Sequence, residues 1–428
     1  MPFRSIILDI LFLLSVSVIW VMILYQLILT FFGSMYRRLT ERTVPVINEK
    51  VLEQLPGVSI LVPARNEEVV IQRTIQRLLL MDYPKHKLEI VVINDGSTDN
   101  TGTIVDQLAA EDKRIVPVHL PEAERGRGKA HALNIGLQKA GHSYIGIYDA
   151  DNRPEPGALL YLVQALQNDP QLGAVIGKFR TQNKGRNILT RFINIETLSF
   201  QWILQAGRFH AFRIAILPGT NCVIRKNVLT ECGGWDEKAI TEDSELSVRI
   251  YRKGWKIRFV PYAVTWEQEP ETLSVWARQR TRWVRGNNYV IRKFLRQALL
   301  LKNPMLSMEF LYLFILYYLF LGAIVTSHLL FILCGLGILS VTVPGPYTAV
   351  WISAYFMYLL EIVLVLSYED EDSILNILIT AIMYFTYCQL WIYVVFKGLI
   401  LDAIRRNVGV WDKTVRVEED QLAGEVTS

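Results

Sequence analysis

Long apolar runs lie near the two ends of the 428-residue chain, and a mixed polar region separates them. One almost uninterrupted apolar run extends from Ile6 to Phe32. Three more follow residue 303, at Leu306–Val343, Thr348–Ser367 and Ile374–Leu401. A helix needs about 20 consecutive apolar residues to cross a bilayer. The pattern therefore predicts one spanning helix before the central region and several after it.

The number of crossings after the central region depends on the flanking charges. Arg37, Arg38 and Arg42 follow the first apolar run and indicate that the central region lies in the cytoplasm. If each later run crossed once, the basic tail would end outside, against the positive-inside tendency. We therefore expect Leu306–Val343 to cross twice, with a break near Thr326–His328, which gives four C-terminal crossings. A single tilted helix is the alternative for this stretch.

Between Gly57 and Pro270, short apolar runs alternate with helical patterns. Such alternation predicts a parallel sheet that binds ligands beyond the carboxyl ends of its strands. The predicted strands are Val58–Val62, Leu88–Ile93, Ile115–Leu120 and Tyr144–Tyr148.

Polar clusters follow three of these strands. Pro63–Glu67 comes after the first strand, Asp95 lies in an Asp-Gly sequence after the second, and Asp149 and Asp151 follow the fourth. Two carboxylates on the same side of a strand end suit a divalent ion that bridges a diphosphate. Each cluster taken alone is equally compatible with a solvated turn.

Two further clusters occur later in the chain. Thr241–Glu245 opens a predicted helix, either as an acidic cap stabilised by the helix dipole or as the holder of a general base. Trp276–Arg285 is aromatic and basic, as an interfacial helix is. Its Gln279, Arg282 and Trp283 can share one end of that helix, where they offer a hydrogen-bond donor, a phosphate-binding fork and a flat apolar ring.

One more apolar pattern lies inside the central region. Arg191–Phe212 is amphipathic, and we expect it to lie at the bilayer surface. A core helix of the globular domain is the alternative.

Composition excludes several protein classes. A hydrophobic fraction of 51% excludes disorder, and 4 cysteines in the whole length exclude a disulfide-stapled scaffold. The formal charge of +4 does not by itself indicate nucleic-acid binding. No Cys-x-x-Cys or His-Glu-x-x-His motif supports a zinc or thiol redox site. Gly126–Lys129 lacks the glycine spacing of both the Walker and the dinucleotide-binding loops, which disfavours those classes.

Taken jointly and in this order, four clusters resemble family 2 glycosyltransferases of the membrane-integrated, processive type, such as cellulose, hyaluronan and poly-N-acetylglucosamine synthases. These clusters are Asp95, Asp149-x-Asp151, Thr241-Glu242-Asp243 and Gln279-x-x-Arg282-Trp283. The resemblance implies an α/β GT-A (Rossmann-like) cytoplasmic domain plus an α-helical transmembrane bundle. The expected boundaries are 1–36 for an N-terminal transmembrane helix, 37–56 for a linker, 57–270 for the GT-A domain, 271–304 for amphipathic interface helices, 305–403 for the C-terminal bundle and 404–428 for a cytoplasmic tail.

The resemblance also implies roles for individual residues. Asp243 is expected to be the catalytic base, and Asp149 with Asp151 the ligands of Mg²⁺ or Mn²⁺. Nucleotide-sugar binding is expected at Pro63, Ala64, Arg65, Glu67, Asp95, Lys129, Asp149, Gln279 and Arg282. Acceptor contacts are expected at Gly219, Thr220, Glu242 and Trp283. Trp411, Lys413, Thr414 and Arg416 loosely resemble a gating motif, with a basic membrane anchor as the alternative.

The implied activity is inverting transfer from a UDP-sugar to a growing β-linked polysaccharide, which the protein would translocate across the plasma or inner membrane. UDP-N-acetylglucosamine is the first expected donor and UDP-glucose the second. Where cellulose-type relatives have Phe-Phe-Cys-Gly-Thr, this chain has Ile216-Leu217-Pro218-Gly219-Thr220. That departure keeps open a non-processive glycolipid synthase, and a non-catalytic membrane scaffold is a third hypothesis. The expected partners are the UDP-sugar, a polysaccharide or lipid acceptor, membrane lipids and an accessory membrane subunit, but no nucleic acid.

Overall fold

The structure is a computed structural model that describes residues 3–45, 49–298, 307 and 311–404. A single long helix, α1 (Ile6–Arg42), precedes the central domain. Ten helices of the domain follow as α2 to α11: Glu49–Gln54, Ile71–Leu79, Thr101–Glu111, Lys129–Lys139, Ala158–Asn168, Ile188–Ser199, Gly207–Phe212, Lys226–Cys232, Glu242–Arg252 and Leu273–Ala298. The strands β1 to β8 are Val58–Ala64, Leu88–Asn94, Ile115–His119, Tyr144–Ile147, Arg153–Pro154, Leu172–Thr181, Cys222–Arg225 and Lys256–Glu267.

All eight strands form one mixed sheet in the order β3-β2-β1-β4-β7-β6-β8-β5. The strands β3, β2, β1 and β4 are parallel to their neighbours in that half of the sheet, as the sequence predicted. β7 is antiparallel to both β4 and β6, and β5 is antiparallel to β8. The sheet is therefore parallel on the side of β1 to β4 and mixed on the other side. This is the α/β GT-A fold that the sequence indicated.

Both faces of the sheet are covered by apolar side chains, which explains the unbroken apolar runs of its central strands. In β1 every residue is buried. Ile60 and Val62 pack into one core, and Leu61 packs into the other on the opposite face. Alternate side chains of a strand point to opposite faces, so a single strand supplies both cores.

The segment from α7 to α8 is a buried part of the domain. It continues from α7 through a π-helical stretch, Phe200–Ala206, into α8. A Cβ atom added to Gly33 of α1 would lie 2.2 Å from the Trp202 carbonyl oxygen, and one added to Gly207 would lie 2.3 Å from that of Leu29. The two helical backbones therefore touch directly. The apolar face of this segment is buried in the same core as Leu29 and Tyr36 of α1, as the core-helix alternative expects.

Four helices of the described ranges are long and apolar enough to cross a membrane: α1, Leu311–Gly335, Tyr347–Ser367 and Ile374–Ala403. We name the second α12 and the third α13. The fourth bends at Thr386, where it is divided into α14 (Ile374–Phe385) and α15 (Tyr387–Ala403).

The predicted break near Thr326–His328 is wrong. These residues lie inside a continuous helical segment, Leu321–Gly335. His328 meets the Ile324 carbonyl oxygen through its Nδ1 at 2.8 Å, so its polar side chain is satisfied on its own helix. A helix in apolar surroundings keeps its backbone hydrogen bonds because no water replaces them. Leu306–Val343 therefore supplies one candidate span.

Candidate active site

Asp95 lies at the carboxyl end of β2 with its side chain fully buried. Its backbone N–H donates to the Ala64 carbonyl at the end of β1 (2.9 Å), so the buried Pro63 and Ala64 help to fix its position. Its Oδ1 accepts from the Gly126 N–H (2.7 Å). Its Oδ2 is buried and has no hydrogen-bond partner within the part of the chain that the structure describes. Burial raises the pKa of Asp95, and the orphaned oxygen is an acceptor that a ligand N–H can satisfy.

The loop after β1 is braced against the loop after β2. The Glu67 N–H donates to Thr101 Oγ1 (2.7 Å) and the Asn66 N–H to Ser97 Oγ (2.9 Å). Arg65 lies over the glycine that binds Asp95, since a Cβ atom added to Gly126 would be 3.2 Å from Arg65 Nη1. The loop therefore brings a guanidinium beside a buried carboxylate, as the predicted nucleotide site requires.

Lys129 is at the centre of the candidate site. It begins α5, and its Nζ donates to Asp149 Oδ1 (2.5 Å) and to the Gly219 carbonyl (2.9 Å). The Glu242 carboxylate is 3.9 Å away. Burial by itself would lower the pKa of Lys129, but Asp149 and Glu242 more than offset this, and the pKa is raised. The ammonium group is therefore charged and joins residues that are far apart in the sequence.

Asp149 is oriented by two residues that hold its backbone. Its N–H donates to Asn152 Oδ1 (2.9 Å) and to Thr220 Oγ1 (3.1 Å), and the Thr220 hydroxyl also donates to Asn152. Thr220, an expected acceptor residue, is buried here as a support of Asp149. Sequence reasoning missed Asn152. The signal that could have found it is an Asn three residues after an Asp at a strand end, a common turn arrangement.

Glu242 and Asp243 begin α10 and approach the same lysine. Gly219 has φ of +87°, and a Cβ atom added to it would lie 2.8 Å from Asp243 Oδ2 and 3.6 Å from Lys129 Nζ. Only glycine leaves room for this approach and adopts this backbone conformation without strain. The structure thus brings Asp243 next to Lys129.

The two carboxylates have raised pKa values. Burial is the main cause for both Glu242 and Asp243, and the charges of Lys129 and Arg282 act in the opposite direction. The Ser244 N–H also donates to Asp243 Oδ1 (2.7 Å). A carboxylate whose pKa lies above the ordinary range is a better proton acceptor than an exposed aspartate. Thr241 makes no side-chain cap hydrogen bond, and Glu242, Asp243 and Glu245 lie in the first turn, where the helix dipole also favours negative charge.

Helix α11 passes directly beside the start of α10. A Cβ atom added to Gly286 would lie 2.3 Å from Thr241 Cγ2, so the two helices touch at this glycine. Arg282 is close enough to lower the pKa of both Glu242 and Asp243. Arg282 therefore lies at the same site as the acidic cluster.

Arg280 is a second residue that sequence reasoning missed. Its side chain is buried, and its Nη2 pairs with Glu196 Oε2 at 2.6 Å. Its guanidinium lies 4.0 Å from the centre of the Trp283 ring, and its Nη1 donates to Gln279 Oε1 (2.8 Å). The indole is held by Arg280 on one face and remains 36% exposed. The only sequence signal for Arg280 is its position three residues before Trp283 on the same helix.

A divalent metal has two candidate ligands, Asp149 and Asp151. No group of three or more His, Cys, Asp or Glu side chains suited to a metal occurs among the residues that the structure describes. Mg²⁺ is commonly held by one or two carboxylates, with waters and substrate phosphates completing its shell. Two aspartates separated by one residue can supply these one or two carboxylate ligands. The gating candidates Trp411, Lys413, Thr414 and Arg416 lie outside the described residues.

Known proteins with similar sequences indicate the family of this chain. Residues 56–286 match the family described as glycosyltransferase like family 2. The chain is 44% identical over 413 residues to the probable glycosyltransferase YdaM of Bacillus subtilis. This alignment covers 96% of this chain and 98% of YdaM. It is 33% identical over 262 residues to a poly-beta-1,6-N-acetyl-D-glucosamine synthase of Staphylococcus aureus, with 60% of this chain and 62% of the synthase aligned.

A solved structure shares the fold. It is the mannosyltransferase PcManGT of Pyrobaculum calidifontis in complex with GDP-mannose and Mn²⁺. The two structures superpose with a TM-score of 0.60 and 21% sequence identity, and the match covers 88% of this chain and 99% of the mannosyltransferase chain. Because the family model covers more than half of the chain and a relative that is 44% identical is aligned over 98% of its length, this chain belongs to glycosyltransferase family 2.

Proposed function

We propose that the protein is an inverting, UDP-sugar-dependent hexosyltransferase that extends a β-linked polysaccharide and passes it across the membrane. The observation that carries the proposal is the convergence of three carboxylates on one buried ammonium group. Lys129 contacts Asp149 and Glu242, and Asp243 adjoins it across Gly219. This arrangement joins a diphosphate-binding group to a candidate base.

The donor half of the site is formed by loops at the carboxyl ends of the strands. The free oxygen of Asp95 can accept an N–H from the nucleotide base. Lys129 and Arg282 supply positive charge for the diphosphate, and fixed charges of this kind stabilise the charge that develops on a leaving group. Asp149 and Asp151 would hold Mg²⁺ or Mn²⁺, which when bound neutralises the diphosphate.

The acceptor half of the site performs the proton transfer. Asp243 takes the proton of the acceptor hydroxyl while the oxygen forms a bond to the anomeric carbon, and the bond from that carbon to UDP breaks. Its raised pKa suits it to this role. A single displacement inverts the configuration, so an α-linked donor yields a β-linkage. The exposed part of the Trp283 ring offers a flat surface for the acceptor sugar.

The polymer product is supported by similarity to the poly-beta-1,6-N-acetyl-D-glucosamine synthase. UDP-N-acetylglucosamine is therefore the first donor to test and UDP-glucose the second. Four helices long and apolar enough to cross a bilayer support placement in the plasma or inner membrane, with the catalytic domain in the cytoplasm. An accessory membrane subunit is a further candidate partner.

A non-processive glycolipid synthase is the second candidate. It is favoured by Ile216–Pro218, which replaces the aromatic part of the acceptor loop of cellulose-type relatives. Leu217 is buried and its N–H donates to Ser247 Oγ (2.9 Å), so this loop packs inward on α10. A loop of this kind offers fewer rings on which a polysaccharide can stack.

Donor profiling distinguishes these functions. Membranes that contain the protein would be incubated with Mg²⁺ and each labelled UDP-sugar in turn, and the products would be sized and treated with linkage-specific hydrolases. We expect long polymer from one donor. Products with one or two sugars on a lipid would support the glycolipid synthase instead. Absence of transfer from every UDP-sugar would contradict both.

A further inference from the structure

The last apolar stretch, α14 and α15, has the composition of a membrane span, but its first residues are attached to the catalytic domain. Asn376 donates through Nδ2 to the Glu371 carbonyl (2.8 Å). The Glu371 carboxylate is buried and pairs with Arg180 of β6 (2.6 Å) and with Lys184 just after it (2.7 Å). The start of α14 therefore lies beside the end of a sheet strand.

The other end of the stretch is also attached to the domain. Asp402, next to the last residue of α15, pairs with Arg285 (2.8 Å) and Arg292 (2.9 Å) of α11 and accepts a hydrogen bond from Asn288 (3.1 Å). The same part of α11 is fixed on the domain, because Lys293 pairs with Glu245 of α10 (2.7 Å). Both ends of the stretch therefore lie at the catalytic domain.

Between these ends, α15 runs alongside α11 in the same direction. Trp276 near the start of α11 donates to the Tyr387 hydroxyl (2.9 Å) at the start of α15. About two turns further along α11 and three turns further along α15, a Cβ atom added to Gly398 would lie 2.8 Å from Val284 Cγ1. The 17 residues of α15 extend about 25 Å at 1.5 Å per residue. Had α15 crossed a bilayer, its two ends would lie on opposite sides of a layer about 30 Å thick, and only one could meet the domain.

The face of α14 and α15 that points away from the domain is apolar. Tyr387, Val394, Val395 and Gly398 are buried on the inner face. An outer stripe of exposed apolar residues repeats every three or four positions within α14 and within α15, with one longer interval at the bend. The stripe consists of Leu378, Ile382, Phe385, Tyr393, Phe396 and Ile400. The helices α1 and α13 also carry exposed apolar side chains, so the stripe continues a larger lipid-compatible surface. The stretch is therefore apolar on both faces: the domain covers the inner face, and the outer stripe needs a different apolar cover.

We propose that α14 and α15 lie along the membrane surface on the side of the catalytic domain and do not cross the bilayer. Lipid acyl chains cover the outer stripe, and the inner face supports α11, which carries Gln279, Arg282 and Trp283. The crossings are then α1, α12 and α13, and the basic segment after residue 404 stays on the side of the catalytic domain. This satisfies the positive-inside tendency without a second crossing in Leu306–Val343. The inference rests on the proposed membrane placement.

Cysteine labelling in intact cells tests this topology. Three variants would each add one cysteine: Pro344→Cys in the exposed loop before α13, Lys113→Cys on the exposed surface of the domain, and Ser428→Cys after α15. A membrane-impermeant maleimide would be added before or after lysis. The unmodified chain, whose four cysteines are buried or half-buried, gives the background.

We expect only Pro344→Cys to be labelled in intact cells, with Lys113→Cys and Ser428→Cys labelled only after lysis. Labelling of Ser428→Cys in intact cells, together with protection of Lys113→Cys, would show that the last stretch crosses and would overturn the inference. If Pro344→Cys itself were protected until lysis, the membrane placement would fail and the inference with it. The two failures are therefore distinguishable.

Discussion

The donor side and the acceptor side of the site stabilise their buried carboxylates in different ways. On the donor side, Asp95 is held by the backbone N–H of Gly126 in a loop next to its own strand. On the acceptor side, Asp243 also accepts a backbone N–H, from Ser244, but Glu242 and Asp243 both face the charges of two other elements, Lys129 of α5 and Arg282 of α11. The acceptor chemistry therefore depends on how α11 is placed, and α11 in turn packs on α15.

Substitutions can test this difference, because each should change donor binding and sugar transfer by different amounts. The largest effect is expected from Asp243→Asn, which removes the base and preserves the size of the side chain. Sugar transfer should fall by about 10²–10⁴-fold, as loss of a general base does. UDP binding, measured by calorimetry, should change little. The matched control is Asp106→Asn, an exposed carboxylate that pairs with His119 away from the site. Equal loss in the control would contradict the role of Asp243.

Lys129→Met should affect both sides of the site. It removes the cation shared by Asp149 and Glu242, so Asp149 loses its ion-pair partner and Glu242 keeps only the charge of Arg282. Loss of one partner of a buried pair costs about 3–5 kcal/mol, and partial exposure of Asp149 favours the lower value. We expect weaker UDP binding, transfer reduced by about 10²-fold and a lower unfolding temperature in detergent. Unchanged UDP affinity would show that Lys129 acts on the acceptor side alone.

Gly286→Ala should impair transfer more than donor binding. Its added methyl group would collide with Thr241 and move α11 away from α10. Misplacement of a catalytic element by about 1 Å can cost up to about 10²-fold, and we expect a loss of about 10-fold in the transfer rate. Gly185→Ala is the control, because no atom lies within 4 Å of its added Cβ. The double variant with Thr241→Ala should recover part of the activity. No recovery would place the effect elsewhere.

The smallest expected effect is on the pH dependence. Asp243 must be deprotonated to act as a base, and burial raises its pKa. Activity should therefore fall as the pH drops through that raised pKa, at a higher pH than an exposed aspartate would give. Arg282→Gln removes a charge that lowers this pKa and should move the acid limb to higher pH. A pH–rate profile with an unmoved limb would contradict contact between these two charges.

The sequence was informative where the chemistry is local. The strands that precede Asp95 and Asp149 were recognisable because short apolar runs alternate with helical patterns. The two aspartates were expected to lie close together because the carboxyl ends of neighbouring parallel strands meet at one edge of a sheet. Arg280 was missed because it resembles any basic residue of an interfacial helix until Glu196, 84 residues away, is seen to pair with it.

In the membrane region, by contrast, hydropathy alone did not predict the structure correctly. The polar run Thr326–His328 predicted a break, but His328 meets the Ile324 carbonyl oxygen on its own helix and the helix continues through all three residues. Ile374–Leu401 has the length and apolarity of a span. The inference that it does not cross rests on the contacts of Glu371 and Asp402 with the domain, and these are tertiary contacts that hydropathy does not contain.

The configuration of the new glycosidic bond tests the central claim most directly. A ¹³C-labelled α-linked UDP-sugar would be supplied to the protein in membranes with Mg²⁺, and the product would be examined by NMR. A single displacement with Asp243 as base predicts a β-linkage in every newly formed bond. An α-linkage would contradict the account, because retention requires a second nucleophilic step that this arrangement does not provide.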